Sequence, residues 1–236
     1  MGLFSSLIHV RETSAGAVCE ALSDTIPRWN FRLSGQQSAA GTPQSATREA
    51  LLYLVSPLQG SWTALLEGHF AVKNAPRLSD LAKSLSAVLA TYTLALMVHD
   101  DDVLYYNLCR EGEDLDGYNS NPQYFERARL SEDAVAEQRH NPRPFQALLP
   151  DGVRLSDLQA LLDRGWWSAC NAGRLDAHGV PPPDEPGFVF EGERMIAIGN
   201  LLELHGSGQG YPYAGWADAN ANIEWRAFQE LRFERE

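Results

Sequence analysis

Residues 77–109, RLSDLAKSLSAVLATYTLALMVHDDDVLYYNLC, contain the local patterns that decide the fold. Ser79 can accept hydrogen bonds from the backbone N–H groups of a first helical turn, and the negative charge of Asp80 suits the positive helix end. Apolar residues then recur at helical spacing, which predicts one buried helix face. Two apolar runs follow, at 92–98 and 103–109, and the polar residues between them predict a turn. This stretch therefore predicts a helix followed by an antiparallel pair of strands.

The segment that precedes this stretch repeats the same kind of pattern. A short apolar run at 7–10 is followed by a helix pattern at 14–26. Residues 34–47 are small and polar, which predicts a loop. Two further apolar runs, at 50–56 and 62–66, are predicted strands. The resulting order, strand–helix–strand–strand–helix–strand–strand, is typical of a layered α+β protein.

The C-terminal part of the sequence carries mainly helical patterns. Helices are predicted at 131–138, from the repeated RLSDL sequence at 154–158, and at 193–205. The acidic, proline-rich segment 181–186 predicts a stiff linker. The tail at 223–233 fits a strand or a helix, and the spacing of its large apolar residues favours a helix.

The predicted fold class is therefore α+β, with a mostly antiparallel sheet, helices on one face of it, and a mainly helical C-terminal half. The predicted division lies near residue 128. Residues 1–128 form the strand–helix–strand–strand–helix–strand–strand region, and residues 129–236 form the mainly helical region. The two regions can share one core.

Composition and charge limit the classes of function. The 19 basic and 31 acidic residues give a formal net charge of −12 and a pI of about 4.9. A negative balance of this size argues against general affinity for nucleic acid or for an anionic membrane. No apolar run approaches the roughly 18 residues that a membrane-spanning helix requires. No nucleic-acid partner and no membrane association are expected.

The cysteines predict a reducing compartment. Cys19, Cys109 and Cys170 are odd in number, far apart and without a CxxC pair, so a disulfide framework is not expected and the predicted location is the cytoplasm. Cys19 and Cys109 lie in apolar patterns and are expected to be small buried side chains. Cys170 lies in a polar setting, with His178 eight residues later, which leaves a thiol enzyme open as an alternative.

The densest polar cluster is His99, Asp100, Asp101 and Asp102, between the two strands of the predicted hairpin. An imidazole with alternate carboxylates could hold a divalent cation, which makes a metal-dependent hydrolase around His99 and Asp101 a second enzymatic alternative. Aspartate is also a common turn residue, so a solvated turn explains the cluster without a metal. The histidines show no zinc-binding spacing, and no cofactor is predicted.

Two further groups of residues indicate a binding surface. Acidic residues alternate along the predicted arm at 110–118, which suits a basic partner and also protects an exposed strand edge from aggregation. Large rings cluster at 166–167 and 211–216, and tryptophan and tyrosine dominate binding hot spots, although the same rings could cover a loop-rich core. The predicted partner-binding residues are Asp100, Asp102, Glu111, Glu113, Asp114, Asp116, Tyr118, Trp166, Trp167, Tyr211, Tyr213 and Trp216.

The sequence therefore favours a non-enzymatic, acidic binding protein that acts through a protein–protein interface. The expected partner is a basic protein, and an inhibitor or immunity-type protein that neutralises a basic toxin fits this profile. A small-molecule-binding module, with a pocket between sheet and helices, is the first alternative. A metal-dependent or thiol hydrolase is the second. The oligomeric state is not predicted.

Overall fold

An eight-stranded antiparallel sheet organises the computed structural model, which describes residues 4–38, 50–68, 77–124, 126, 130–131, 133, 141–163, 191–204 and 227–236. The strands are β1 (Phe4–Arg11), β2 (Phe31–Ser38), β3 (Ala50–Val55), β4 (Trp62–Glu67), β5 (Tyr92–His99), β6 (Val103–Arg110), β7 (Glu113–Asn119) and β8 (Gln229–Arg235). The α-helices are α1 (Ala15–Thr25), α2 (Leu78–Leu89), α3 (Leu155–Asp163) and α4 (Glu191–Leu201), and short 3₁₀ helices cover Ile26–Trp29 and Arg143–Ala147.

The strands follow the order β2-β8-β3-β4-β1-β5-β6-β7 across the sheet. The C-terminal strand β8 therefore lies inside the sheet, between β2 and β3. The prediction of a helix in the tail is wrong for its described part. Leu231 and Phe233, two residues apart, are both fully buried on one face, which is the period of a strand.

The prediction of helices on one face of the sheet is also wrong, because helices cover both faces. Neighbouring residues Leu7 and Ile8 of β1 belong to two separate apolar cores. Helices α1 and α2 pack over the core that contains Ile8, and α3, α4 and the 3₁₀ helix Arg143–Ala147 pack over the core that contains Leu7. Strands with nearly continuous apolar runs, such as β3, must be buried on both sides, and one helical layer cannot do that.

The mainly helical C-terminal half of the predicted fold class needs the same correction. Its described part contains α3 and α4, but β8 completes the sheet that the earlier strands begin. The two regions thus contribute to one sheet, while the boundary near 128 stays a prediction. Most of the helix predicted at 131–138 and the linker at 181–186 lie outside the described residues.

The elements predicted from residues 77–109 are confirmed, with one local difference. Helix α2 begins at Leu78 and its N-cap is Arg77, whose side chain makes no capping hydrogen bond. Ser79 lies inside the first turn, and its hydroxyl is hydrogen-bonded to Tyr105 on β6. The side chain that was expected to cap the helix therefore links the start of α2 to the sheet.

Two tight turns connect β5 to β6 and β6 to β7. In the turn His99–Asp102, the backbone N–H of Asp102 donates to the carbonyl of His99, and both central aspartates have positive φ. This is the turn that the aspartates predicted, because Asp tolerates the left-handed region that such hairpin turns require. The next turn has Glu111 and Gly112 at positive φ, and β7 follows as a separate strand. Among the described residues, no helix is long and apolar enough to cross a membrane.

Candidate functional site

An open polar groove lies where the first turns of α2 meet β6 and the edge strand β7. Its volume is about 440 Å³. Three aspartates and one lysine are among the side chains that line it. The lining residues are Ser79, Asp80, Lys83, Tyr105, Asn107, Asp114, Leu115, Asp116 and Gly117.

Asp114 accepts hydrogen bonds from three side chains. Lys83 Nζ donates to Asp114 Oδ2 at 2.5 Å, and Asn107 Nδ2 donates to Oδ1 at 3.0 Å. The thiol of Cys109 also donates to Oδ1, at 3.5 Å. Partial burial acts to raise the pKa of Asp114, but these hydrogen bonds outweigh it and hold the pKa below its usual value. Asp114 therefore carries a stable negative charge at the mouth of the groove.

The negative charge of Asp114 shifts the pKa values of neighbouring side chains. Burial raises the pKa of the Cys109 thiol to about 12, and the charge of Asp114 adds to the shift. Burial also raises the pKa of Tyr105, despite its hydrogen bond to Ser79, and the charges of Asp114 and Asp80 contribute in the same direction. The hydrogen bond to Asp114 and the attraction of that carboxylate raise the pKa of Lys83. The potential in the groove favours a cation.

Asn107 forms a buried polar wall of the groove. The residue is only 7% exposed, and Gly117 pairs with it across the β6–β7 ladder. A partner without a side chain leaves space beside the amide, which keeps the groove open. Asn107 Nδ2 donates to Asp114, whereas no group among the described residues donates to Asn107 Oδ1.

The predicted acidic residues of β7 and its preceding turn lie in different environments. Glu111 is exposed and accepts a hydrogen bond from Arg110 at 3.0 Å, and Glu113 is exposed at the start of the edge strand. Asp116 accepts from the hydroxyl of Tyr106 at 2.6 Å and from the backbone N–H of Asn141 at 2.8 Å. Its carboxylate therefore also anchors the segment after β7.

Tyr118, also predicted to bind a partner, lies in the interior. It is 9% exposed and stacks against Tyr106. Its hydroxyl donates to the carbonyl of Leu162 at 3.2 Å and accepts from Arg194 Nη1 at 3.1 Å. Tyr118 thus holds β7 against α3 and α4 in this structure.

The structure does not bring Asp100 and Asp102 together with the acidic residues around β7. The turn that contains Asp100 and Asp102 precedes β6, and Glu111 follows the other end of β6. The two groups are therefore separated by the length of this strand of eight residues, which is about 25 Å. Asp102 is hydrogen-bonded to the hydroxyl of Tyr124, whose ring contacts that of His99 at 5.8 Å between centroids.

The His99–Asp102 turn, on which the metal-dependent alternative rests, makes a backbone contact with α4. The backbone carbonyl of Asp101 accepts from the N–H of Glu191 at 2.9 Å, so this turn anchors the start of α4. No group of three or more His, Cys, Asp or Glu residues that could hold a metal occurs among the described residues. Cys19 is buried, and burial raises the pKa of its thiol to about 11, which makes it a poor nucleophile.

Several predicted residues lie outside the part of the chain that the structure describes. These residues are Trp166, Trp167, Cys170, Tyr211, Tyr213 and Trp216. Their roles in partner binding, or in thiol chemistry for Cys170, stay predictions.

Lys83, Asn107 and the ion pair of Glu191 with Arg194 are not among the residues predicted from the sequence. The distances in this pair are 2.8 Å from Arg194 Nε to Glu191 Oε2 and 3.3 Å from Nη2 to Oε1. Burial raises the pKa of Glu191, although Arg194 opposes the shift. An acidic and a basic residue three positions apart on a helix usually form an exposed pair, so the spacing alone gave no sign of burial.

The chain matches no protein-family model, no curated protein and no solved structure.

Proposed function

We propose that this chain is a non-enzymatic, acidic binding protein whose partner is a basic protein. The observation that carries the proposal is the position of the acidic residues around β7. Glu111 and Glu113 are exposed at the edge of the sheet, beside a groove lined by three aspartates and one lysine. Such a surface is complementary to a basic segment, and complementarity of this kind accelerates encounter and rejects acidic competitors.

The position of β7 at the edge of the sheet also supports binding of a protein partner. Strand β7 pairs with β6 alone among the described strands. An edge strand can bond an added strand through its backbone, while side chains on either side select the sequence of the partner. Acidic side chains on such an edge discourage pairing with a second acidic chain and allow pairing with a basic one. The net charge of −12 acts in the same direction at longer range.

The proposed biological role is that of an inhibitor or immunity-type protein in the cytoplasm. The two described cysteines, Cys19 and Cys109, are buried thiols rather than a disulfide, which agrees with a reducing compartment. Neutralising a basic toxin would require a surface that is already acidic before the encounter, and β7 with its groove provides one.

The small-molecule alternative is favoured less by the geometry. A typical ligand pocket is enclosed and mainly apolar, with a few inward polar groups. The groove beside α2 is open and lined mainly by polar residues such as Asp80, Asn107 and Asp114. It suits a charged group presented by a larger molecule better than an enclosed ligand.

The proposal is tested by affinity capture from a lysate of the source organism. The immobilised chain is compared with the variant Glu111→Gln/Glu113→Gln, each at low salt and at about 0.5 M salt, where screening is nearly complete. The variant Glu20→Gln/Asp24→Asn, which removes the same charge from the exposed surface of α1, serves as the matched control. We expect one basic protein that the chain and the control retain at low salt, and that high salt or the β7 variant releases. Equal capture by both variants would overturn the proposal.

A further inference from the structure

The groove already contains a cation from the protein itself. The ammonium group of Lys83 lies at 2.5 Å from Asp114 Oδ2, at the boundary between α2 and β7. The side chains of Lys83 and Asp114 are 43% and 50% exposed. Ion pairs this exposed contribute little to stability, so solvent or another cation can replace Lys83 at small cost.

The remaining groove provides acceptors for such a replacement. Asn107 Oδ1 receives no hydrogen bond from the described residues, and Asn107 and Asp114 both line the groove. Asp80 adds a second negative charge from α2, and the ring of Tyr105 lines the wall. Carboxylate, amide oxygen and aromatic ring are the groups that bind a guanidinium or an ammonium ion.

We propose that this groove is the receptor for one lysine or arginine side chain of the protein partner, which displaces Lys83 and binds Asp114 and Asn107. The inference rests on the proposed function and names the contact that its partner makes. Lys83 then acts as an internal competitor: it occupies Asp114 in the unbound protein and swings into solvent in the complex.

The competitor role makes a prediction that a structural salt bridge does not. Lys83→Met removes the ion pair with Asp114 and leaves the acceptor oxygens of Asp114 and Asn107 in place, so it is expected to strengthen binding of a cationic side chain. A lysine that only stabilises the fold would give weaker binding or no change. Arg28→Met, at an exposed residue of the 3₁₀ helix after α1, removes the same charge elsewhere and serves as the matched control.

The experiment is an NMR titration of the full chain with an acetylated, amidated pentapeptide that has one central arginine between glycine and serine residues. The same peptide with citrulline, which has the shape of arginine without its charge, is the control ligand. We expect the arginine peptide to shift the amide resonances of Asn107, Asp114 and Lys83, and the citrulline peptide to leave them unmoved. Lys83→Met is expected to tighten binding about threefold through the removed repulsion. Asp114→Asn is expected to weaken it roughly tenfold, through loss of a charge-assisted hydrogen bond.

Three results would overturn the inference. The first is a set of shifts spread over acidic residues outside the groove. The second is equal affinity of the Lys83→Met and Arg28→Met variants for the arginine peptide. The third is binding of free methylguanidinium as tight as that of the peptide, which would make the groove a site for small cations rather than for a partner's side chain.

The lysate capture separates this inference from the proposed function. A basic partner that Glu111→Gln/Glu113→Gln releases and Asp114→Asn retains would leave the function standing and reject the groove as its contact. Peptide binding in the groove with no salt-sensitive partner would reject the function and retain a cation site.

Discussion

Arg194 and Glu191 form a two-point ion pair inside the protein, 1% and 0% exposed. Arg194 Nη1 also donates to the hydroxyl of Tyr118 and to the carbonyls of Leu161 and Leu162. One guanidinium group therefore joins the edge strand β7 to the end of α3 and the start of α4. This contact holds the layer of α3 and α4 to strand β7, and the side chains that form it, Arg194, Glu191 and Tyr118, are buried.

Removing one member of this pair is expected to be costly. Arg194→Met leaves the Glu191 carboxylate buried without its counter-ion, and such losses typically cost about 3–5 kcal/mol. Urea unfolding followed by circular dichroism measures the change. The double variant Arg194→Met/Glu191→Leu removes both charges and is expected to be more stable than the single one. A single variant as stable as the parent would show that water reaches this site.

The stability of the protein is expected to fall between mildly acidic and alkaline pH because of Glu67. Burial raises its pKa from 4.5 to about 8, although a hydrogen bond from Ser6 opposes the shift. The folded state therefore binds this proton more tightly than the unfolded state, so stability is lost as pH rises through that window. Tyr53, whose pKa is raised by burial and by Glu67, is the titratable neighbour across the β3–β4 pair.

The variant Glu67→Gln isolates this contribution, because glutamine keeps the shape and cannot ionise. We expect the melting temperature of the variant to exceed that of the parent at about pH 8 and to approach it near pH 4.5. The full difference in unfolding free energy is at most roughly 3–5 kcal/mol. Parallel melting curves of parent and variant across the whole range would contradict the raised pKa.

The internal position of β8 predicts a large effect from a residue near the C-terminus. Leu231 is fully buried between β2 and β3, so Leu231→Ala is expected to cost about 2–5 kcal/mol through lost burial and a cavity. Glu234→Ala, exposed on the same strand, is the control and is expected to change stability little. A Leu231→Ala variant that unfolds at the same urea concentration as this control would argue against a strand in the sheet.

The turn before β7 predicts a difference between two glycines. Gly112 and Gly152 both have positive φ, at +85° and +83°, which is unfavourable for alanine. A Cβ at Gly112 would also lie 3.1 Å from Ala87 Cβ on α2, whereas a Cβ at Gly152 meets nothing within 4 Å. Gly112→Ala is therefore expected to destabilise the protein more than Gly152→Ala, which costs about 1 kcal/mol from backbone strain. Equal melting temperatures of the two variants would show that α2 moves away from the added Cβ without loss of stability.

The sequence by itself determined the elements whose signals are local. The periodicity of residues 78–89 sufficed for α2, and the two apolar runs with aspartates between them sufficed for the β5–β6 hairpin. It also identified the acidic stretch of Glu111, Glu113, Asp114 and Asp116, because a run of charges is visible in a short window. These patterns arise from residues a few positions apart, so they can be recognised in the sequence alone.

Tertiary structure decided what those elements do together. The spacing of the tail fits two structures, because Phe228 and Leu231 suit a helix and Leu231 and Phe233 suit a strand. Pairing with both β2 and β3 decides for the strand β8. In the same way, Lys83 reaches Asp114 only because α2 packs beside the β6–β7 pair, whereas the contact of Asn107 with Asp114 lies within that pair. The physical reason is that burial and hydrogen-bond partners depend on distances between segments that are remote in sequence, whereas spacing along the chain fixes only the direction in which each side chain leaves its own element.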